Sequence, residues 1–163
     1  MTDSFADDLI ALLPNLRRYA MSLCRRSDLA DDLVQITVER ALGAKDRRDP
    51  AARLEVWLFR ILRNAWIDMI RRNKSRGTEV DIDDAHDLSV TDGRNTVETH
   101  LMLSSAEAAI AALPTDQRDV MMLICVEELS YAEAAEVLGV PIGTVMSRLA
   151  RARNAVAISL GIK

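Results

Sequence analysis

Apolar residues recur at helical rather than strand spacing along most of the chain. Leu16, Tyr19, Ala20 and Leu23 share one helical face, and Pro14 suits the first turn of that helix, after a short apolar segment from Leu9 to Leu13. Ser27 is placed to cap a second helix, in which Leu29, Leu33, Ile36 and Arg40 follow at steps of three and four. A polar loop from Lys45 to Pro50 comes after Gly43. The longest stripe is Leu54, Leu58, Ile61, Leu62, Ala65, Met69 and Ile70, which predicts a helix from near Ala51 to about Arg72 with a basic outer side.

Periodicity then stops. From Ser75 to Thr96 small polar and acidic residues dominate and Gly77 and Gly93 interrupt the chain, the composition of a solvated linker. A second helical set is expected from Val97 to Leu113, ended by Pro114, and Thr115 begins another helix carrying Val120, Leu123 and Ile124.

The C-terminal stretch has the sharpest local signals. Ser130 and Glu133 have capping-box spacing, so a helix starts there; Gly139 supplies a left-handed stop and Pro141 forbids continuation. Val145, Leu149, Ala152 and Val156 form the buried stripe of the next helix, with Thr144, Ser147, Arg148 and Arg151 expected on the opposite face. Two helices joined by a Gly-containing turn make a helix-turn-helix, in which arginines can fork onto guanine and hydroxyls can meet phosphates or bases. An ordinary αα corner with a polar outer face has the same pattern, so both readings stand at this level. The expected fold is all-α: two small helical domains, 1–76 and 97–163, joined by a flexible acidic linker over 77–96, the second domain containing the helix-turn-helix.

Composition agrees with small aliphatic cores: of 163 residues 49% are apolar but only 4% aromatic. No apolar run approaches the roughly 18 residues of a membrane span, and Asp3, Asp7 and Asp8 occupy the place of a signal peptide's basic start, so a cytoplasmic protein is expected. The net charge of −4 argues against a simple high-affinity DNA binder. Its distribution changes the picture. Between Arg40 and Arg76 basic residues far outnumber Asp46, Asp49, Glu55 and Asp68, whereas Glu79, Asp81, Asp83, Asp84, Asp87, Asp92 and Glu98 face Arg94 alone. From Thr144 onward the charged residues are Arg148, Arg151, Arg153 and Lys163, so two basic surfaces flank an acidic middle.

Candidate chemistry is sparse. Cys24 and Cys125 lie in apolar helical patterns without metal-ligand partners and read as inert core thiols; His86 and His100 carry no pattern. The Asp81, Asp83, Asp84, Asp87 cluster lacks the Gly and closing Glu of a calcium loop. No paired catalytic carboxylates, metal set, nucleophile motif or Gly-rich phosphate loop points to an enzyme, and no cofactor is expected.

LSYAEAAEVLGVPIGTVMSRLARAR from Leu129, with the lead-in LPTDQRDVMML from Leu113, resembles region four of extracytoplasmic-function sigma factors. ADDLVQITVERAL from Ala30 and VWLFRILRNAWIDMIRRNKSR from Val56 resemble two parts of region two, in the right order. The resemblance implies that Asp32, Gln35 and Glu39 face the clamp helices of core RNA polymerase, an arrangement helical spacing supports by turning them away from Leu29, Leu33 and Ile36. It implies that Arg60, Arg63, Asn64, Ile67 and Arg71 line the minus-ten DNA side of the long helix, that the Lys45 to Pro50 loop helps hold a flipped base, and that Thr144, Ser147, Arg148 and Arg151 meet the minus-thirty-five element. Trp57 reads as core; Trp66 could stack on an unpaired base or pack, with packing favoured. Met146 departs from relatives that carry Lys there. The implied partners are core RNA polymerase, promoter DNA and an anti-sigma factor, with no small-molecule substrate, and the implied role is transcription initiation. A one-component helix-turn-helix regulator is the alternative; it would need a ligand pocket or dimer helix, for which Arg60 to Arg76 is a poor candidate.

Overall fold

The computed structural model describes residues 4–75 and 105–162, and every regular element among them is helical. The expected 77–96 linker, and with it the domain limits at 76 and 97, lies outside the described residues, as do the Asp81 to Asp87 cluster and both histidines.

The N-terminal unit consists of α1 (Ser4–Cys24), α2 (Ser27–Ala44) and α3 (Leu54–Ser75), each packed on the other two. Leu9, Leu16, Tyr19 and Leu23 of α1 meet the α3 set Leu58, Phe59, Leu62, Ala65 and Trp66 in the core. Tyr19 and Phe59 pack edge to face, ring centroids 5.3 Å apart, the arrangement the ring quadrupoles favour.

In α1 and α2 the structure departs from three expectations. First, α1 does not begin at Pro14 but runs through it. An interior proline removes the amide that would bond the Ile10 carbonyl, and both residues are exposed, so water can satisfy that oxygen. Buried Leu9 and Leu16 hold the two halves of the helix on one core face. Second, Ser27 is the first residue of α2 and makes no cap; Arg26 occupies the cap position, after Arg25 at a left-handed φ of 59°. Third, the buried face of α2 is Ala30, Leu33, Thr37 and Ala41, rotated from the expected Leu29, Leu33, Ile36 and Arg40. Small Ala30 and Ala41 admit close helix approach, and Thr37 tolerates full burial because its hydroxyl donates to the Leu33 carbonyl at 2.7 Å. Arg40 points outward and pairs with Asp68 of α3 at 3.2 Å.

The long helix α3 begins three residues later than Ala51, because the Asp49 carboxylate accepts from the Ala51 amide at 2.9 Å and holds a turn there. The two tryptophans divide. Trp66 is 4% exposed, so it packs. Trp57, expected in the core, is half-buried; its ring meets Phe5 edge-on at 6.3 Å and the Arg48 guanidinium lies 5.9 Å from its centroid.

The C-terminal unit contains α4 (residues 105–111), α5 (Thr115–Met121), a π-helical turn (Met122–Val126) continuing α5, then α6 (Tyr131–Leu138) and α7 (Ile142–Ser159). Val120 and Leu123 pack with Val145, Leu149 and Ala152 in its core, α5 lying against α7. Buried Arg118 donates to the carbonyls of Ala111 at 3.3 Å and Leu113 at 3.2 Å, so one guanidinium satisfies the carbonyls that the end of α4 leaves open. The capping box forms as expected: the Ser130 hydroxyl accepts from the Glu133 amide at 3.1 Å while the Glu133 carboxylate accepts from the Ser130 amide at 2.9 Å. Gly139 ends α6 at φ 67°, the left-handed conformation that a side chain would strain.

Cys24 is buried, donates to the Arg26 carbonyl at 3.2 Å, and has its thiol pKa raised by that burial. Cys125, expected in the core, is exposed. It stands two positions past buried Leu123 within the π-helical turn, about half a turn round and therefore on the far side. A thiol reagent at neutral pH should therefore modify Cys125 in the native protein and reach Cys24 only on unfolding, since the thiolate is the reactive form. Peptide mass mapping reads this out; equal labelling of both in native buffer would put Cys24 at the surface.

Candidate nucleic-acid interface

Burial of one stripe on each helix decides what the opposite side displays. On α2 the core residues Ala30, Leu33, Thr37 and Ala41 put Asp32, Gln35 and Glu39 on the far side, all exposed, with the Gln35 amide donating to the Glu39 carboxylate at 3.3 Å. Asp28 extends this acidic face by one turn. The Arg26 guanidinium bonds its carboxylate at 2.8 Å and holds its pKa below the ordinary value. Leu42, 46% exposed, adds an apolar side chain at the other end, which the stripe-based reading overlooks because it lies off the buried pattern. An acidic helix face ending in an exposed Leu suits a basic partner with an apolar recess.

On α3 the positions Arg60, Arg63, Asn64, Ile67 and Arg71 recur at steps of three, one, three and four, and therefore form one stripe opposite Leu58, Leu62 and Ala65. Arg60, Asn64 and Arg71 are exposed; Arg63 and Ile67 are half-buried. Trp57 borders this stripe, one helical turn before Arg60. The preceding segment makes a short 3₁₀ turn (Lys45–Arg47), after which Arg48 lies over the Trp57 ring. Cations, an amide and an aromatic edge on one surface are the groups that grip phosphates and unpaired bases.

On α7 the four expected residues do lie together, but the face differs. At about 100° per residue, Thr144, Arg148 and Arg151 occupy one flank of the helix beside the buried Val145, Leu149 and Ala152 stripe, and only Ser147 stands near the far side. Accordingly Thr144 and Arg148 are half-buried while Ser147 and Arg151 are exposed. The Arg148 Nε lies 3.7 Å from an Asp116 carboxylate oxygen on α5, and the Ser147 hydroxyl donates to the Thr144 carbonyl at 3.4 Å. Asp116 is thus a neighbour of the site that spacing within α7 could not reveal.

Among the described residues no group of His, Cys, Asp or Glu is arranged to hold a metal ion, and no helix is long and apolar enough to cross a membrane.

Comparison with known proteins matches both halves. The family model Sigma-70 region 2 matches residues 9–76, and Sigma-70, region 4 matches residues 103–156. The chain is 39% identical over 154 residues to the ECF RNA polymerase sigma factor EcfG of Rhodopseudomonas palustris, covering 94% of this chain and 83% of that protein. It is 40% identical over 126 residues to the ECF RNA polymerase sigma factor SigC of Mycobacterium tuberculosis, covering 77% and 67%. Among solved structures, the sigma factor RpoE in complex with the anti-sigma factor NepR from Bartonella quintana superposes with a TM-score of 0.79 at 32% identity over 99% of each chain. CnrH in complex with the cytosolic domain of CnrY gives 0.68 at 27% identity over 96% and 87%.

The Asp116 contact has a measurable consequence for α7. Ion pairs at the surface contribute about 0.2–1 kcal/mol, so if the α7 flank meets DNA, Asp116→Asn, which releases Arg148, should tighten duplex DNA binding by no more than about fivefold, with a steeper salt dependence. Fluorescence anisotropy across a salt series checks this; weaker binding by the variant would mean that Asp116 holds Arg148 in its DNA-contacting pose.

Proposed function

The chain belongs to the extracytoplasmic-function sigma factors of the sigma-70 family, which direct RNA polymerase to promoters, and from that premise we propose how its three polar faces divide the work. Residues 1–76 form the polymerase-docking and minus-ten unit. In it Asp32, Gln35 and Glu39 meet the clamp helices of core polymerase, and Arg60, Arg63, Asn64, Ile67 and Arg71 hold the opened minus-ten DNA. Residues 97–163 form the minus-thirty-five unit, with Thr144, Ser147, Arg148 and Arg151 against the upstream duplex. The acidic 77–96 stretch connects them.

The observation that carries this division is the sign of each face: acidic on α2, basic on α3 and on the Arg148 and Arg151 flank of α7. Like charge excludes the α2 face from DNA and favours a basic protein surface, whereas the other two faces carry the guanidinium, amide and hydroxyl donors that phosphates and bases require. Each DNA-facing patch is small, and the acidic stretch between them repels DNA, so the free chain binds promoters weakly. Docking on polymerase orders both units along one duplex, and the second contact becomes effectively intramolecular. The family does not favour a one-component regulator.

The solved relatives RpoE and CnrH were captured with NepR and CnrY. This chain is accordingly proposed to be held inactive by an anti-sigma factor of its own. It acts in the cytoplasm, catalyses no reaction itself, and needs neither cofactor nor small-molecule substrate.

Reconstituted transcription from genomic fragments tests the proposal. Core enzyme plus this chain should initiate at discrete promoters where core alone does not. Asp32→Arg should abolish both initiation and holoenzyme assembly while leaving helical content unchanged, because it sets a cation against a basic surface. Wild-type assembly by Asp32→Arg would remove the α2 face from the polymerase contact, and initiation by the chain without core dependence would overturn the assignment as a whole.

A further inference from the structure

The apolar flank of α7 has no role in the reading above. Ile142 and Met146, four positions apart and so on the same side of the first turns of α7, are 47% and 51% exposed. Val145, Leu149 and Ala152 already seat the helix in the core, so neither side chain is needed to anchor it. Single exposed aliphatic residues are ordinary on protein surfaces, but an adjacent pair at the head of a helix whose other flank carries Thr144, Arg148 and Arg151 is placed where a groove-reading helix meets base edges.

The arrangement round α7 is two-sided. Taking about 100° per residue from Val145, Ile142 and Met146 lie on one flank, Thr144 and Arg148 on the other, and Gly143 and Ser147 on the ridge between them. Gly143 has no side chain, and a Cβ built there would meet nothing within 4 Å, so the ridge is low and open. A helix laid into a major groove along that ridge brings both flanks to the groove walls. The polar flank meets phosphates and guanine acceptors. The apolar flank then requires an apolar feature, and the major groove displays one: the C5-methyl group of thymine.

We propose that Ile142 and Met146 read thymine methyl groups in the upstream promoter element, giving α7 a hydrophobic half to its sequence recognition. The inference rests on α7 being the upstream DNA reader, and its test separates the two. On a promoter obtained with the holoenzyme, each thymine of the upstream element is replaced in turn, on either strand, by deoxyuridine, which removes only the methyl group. Loss of one buried methyl corresponds to about a threefold to fivefold fall in open-complex formation at one or two positions. Met146→Ala or Ile142→Ala should cause a similar fall on the unmodified promoter and make the enzyme indifferent to deoxyuridine at the matching position, a non-additive cycle. Thermal unfolding should be unchanged by these exposed substitutions. Indifference of the wild-type holoenzyme to every deoxyuridine, or losses from Met146→Ala and deoxyuridine that simply multiply, would overturn the proposal. So would an Ile142 and Met146 flank whose loss weakens capture by a protein inhibitor and leaves promoter response intact. Arg151→Ala is the control on the underlying reading: a weakened response with a shallower salt dependence beside a flat deoxyuridine series keeps α7 as the DNA reader and overturns the methyl contact alone, whereas no effect of either overturns both.

Discussion

Rotation of each helix about its own axis is the constraint on which this protein's surfaces depend, and burial of small aliphatic stripes sets it. With aromatics at 4% of the chain, only a few large rings lock the helices; Tyr19, Phe59 and Trp66 do so in the N-terminal unit, while the C-terminal unit relies on Val, Leu and Ala. A slip of one residue turns a helix by about 100° and would carry its charges from solvent to core. The stripe Ala30, Leu33, Thr37, Ala41 therefore does two things at once: it closes the α2 packing and holds Asp32, Gln35 and Glu39 outward. The stripes of α3 and α7 fix the orientation of their arginines in the same way.

That division also explains how an acidic protein handles DNA. A net charge of −4 conceals surfaces of opposite sign on different helices, each proposed to bind weakly alone. Weak separate contacts suit a factor that must not occupy promoters without polymerase. On the proposed division, affinity comes from arranging the contacts, and a partner that covered the α2 face would remove it without touching a DNA-facing residue.

Local signals were legible in the sequence, and signals that depend on a neighbouring helix were not. Ser130, Glu133 and Gly139 specify the helix-turn-helix through bonds made within a few residues, and Val145, Leu149 and Ala152 recur so regularly that α7 could be oriented from spacing alone. The α2 face was harder because Ala30, Thr37 and Ala41 are buried by the closeness of other helices rather than by their own hydrophobicity. Pro14 inside α1 and the opposite fates of Trp57 and Trp66 likewise depend on what lies beside them. The α3 residues share the one stripe that their spacing indicated, whereas on α7 only Ser147 stands near the expected far face and Thr144, Arg148 and Arg151 lie on a flank. The flank position of Arg148 follows from about 100° per residue, but its Asp116 neighbour and the exposed Leu42 required three dimensions.

Promoter preference is proposed to arise when polymerase joins two weak DNA contacts. The most direct measurement is the ratio of affinities for a promoter duplex and a scrambled duplex at about 0.15 M salt, taken for the free chain and for the chain on core polymerase. Polymerase should raise that ratio by about a hundredfold or more, with the free chain hardly discriminating. A free chain that already shows the full ratio, unchanged by core enzyme, would mean that polymerase adds nothing to promoter preference.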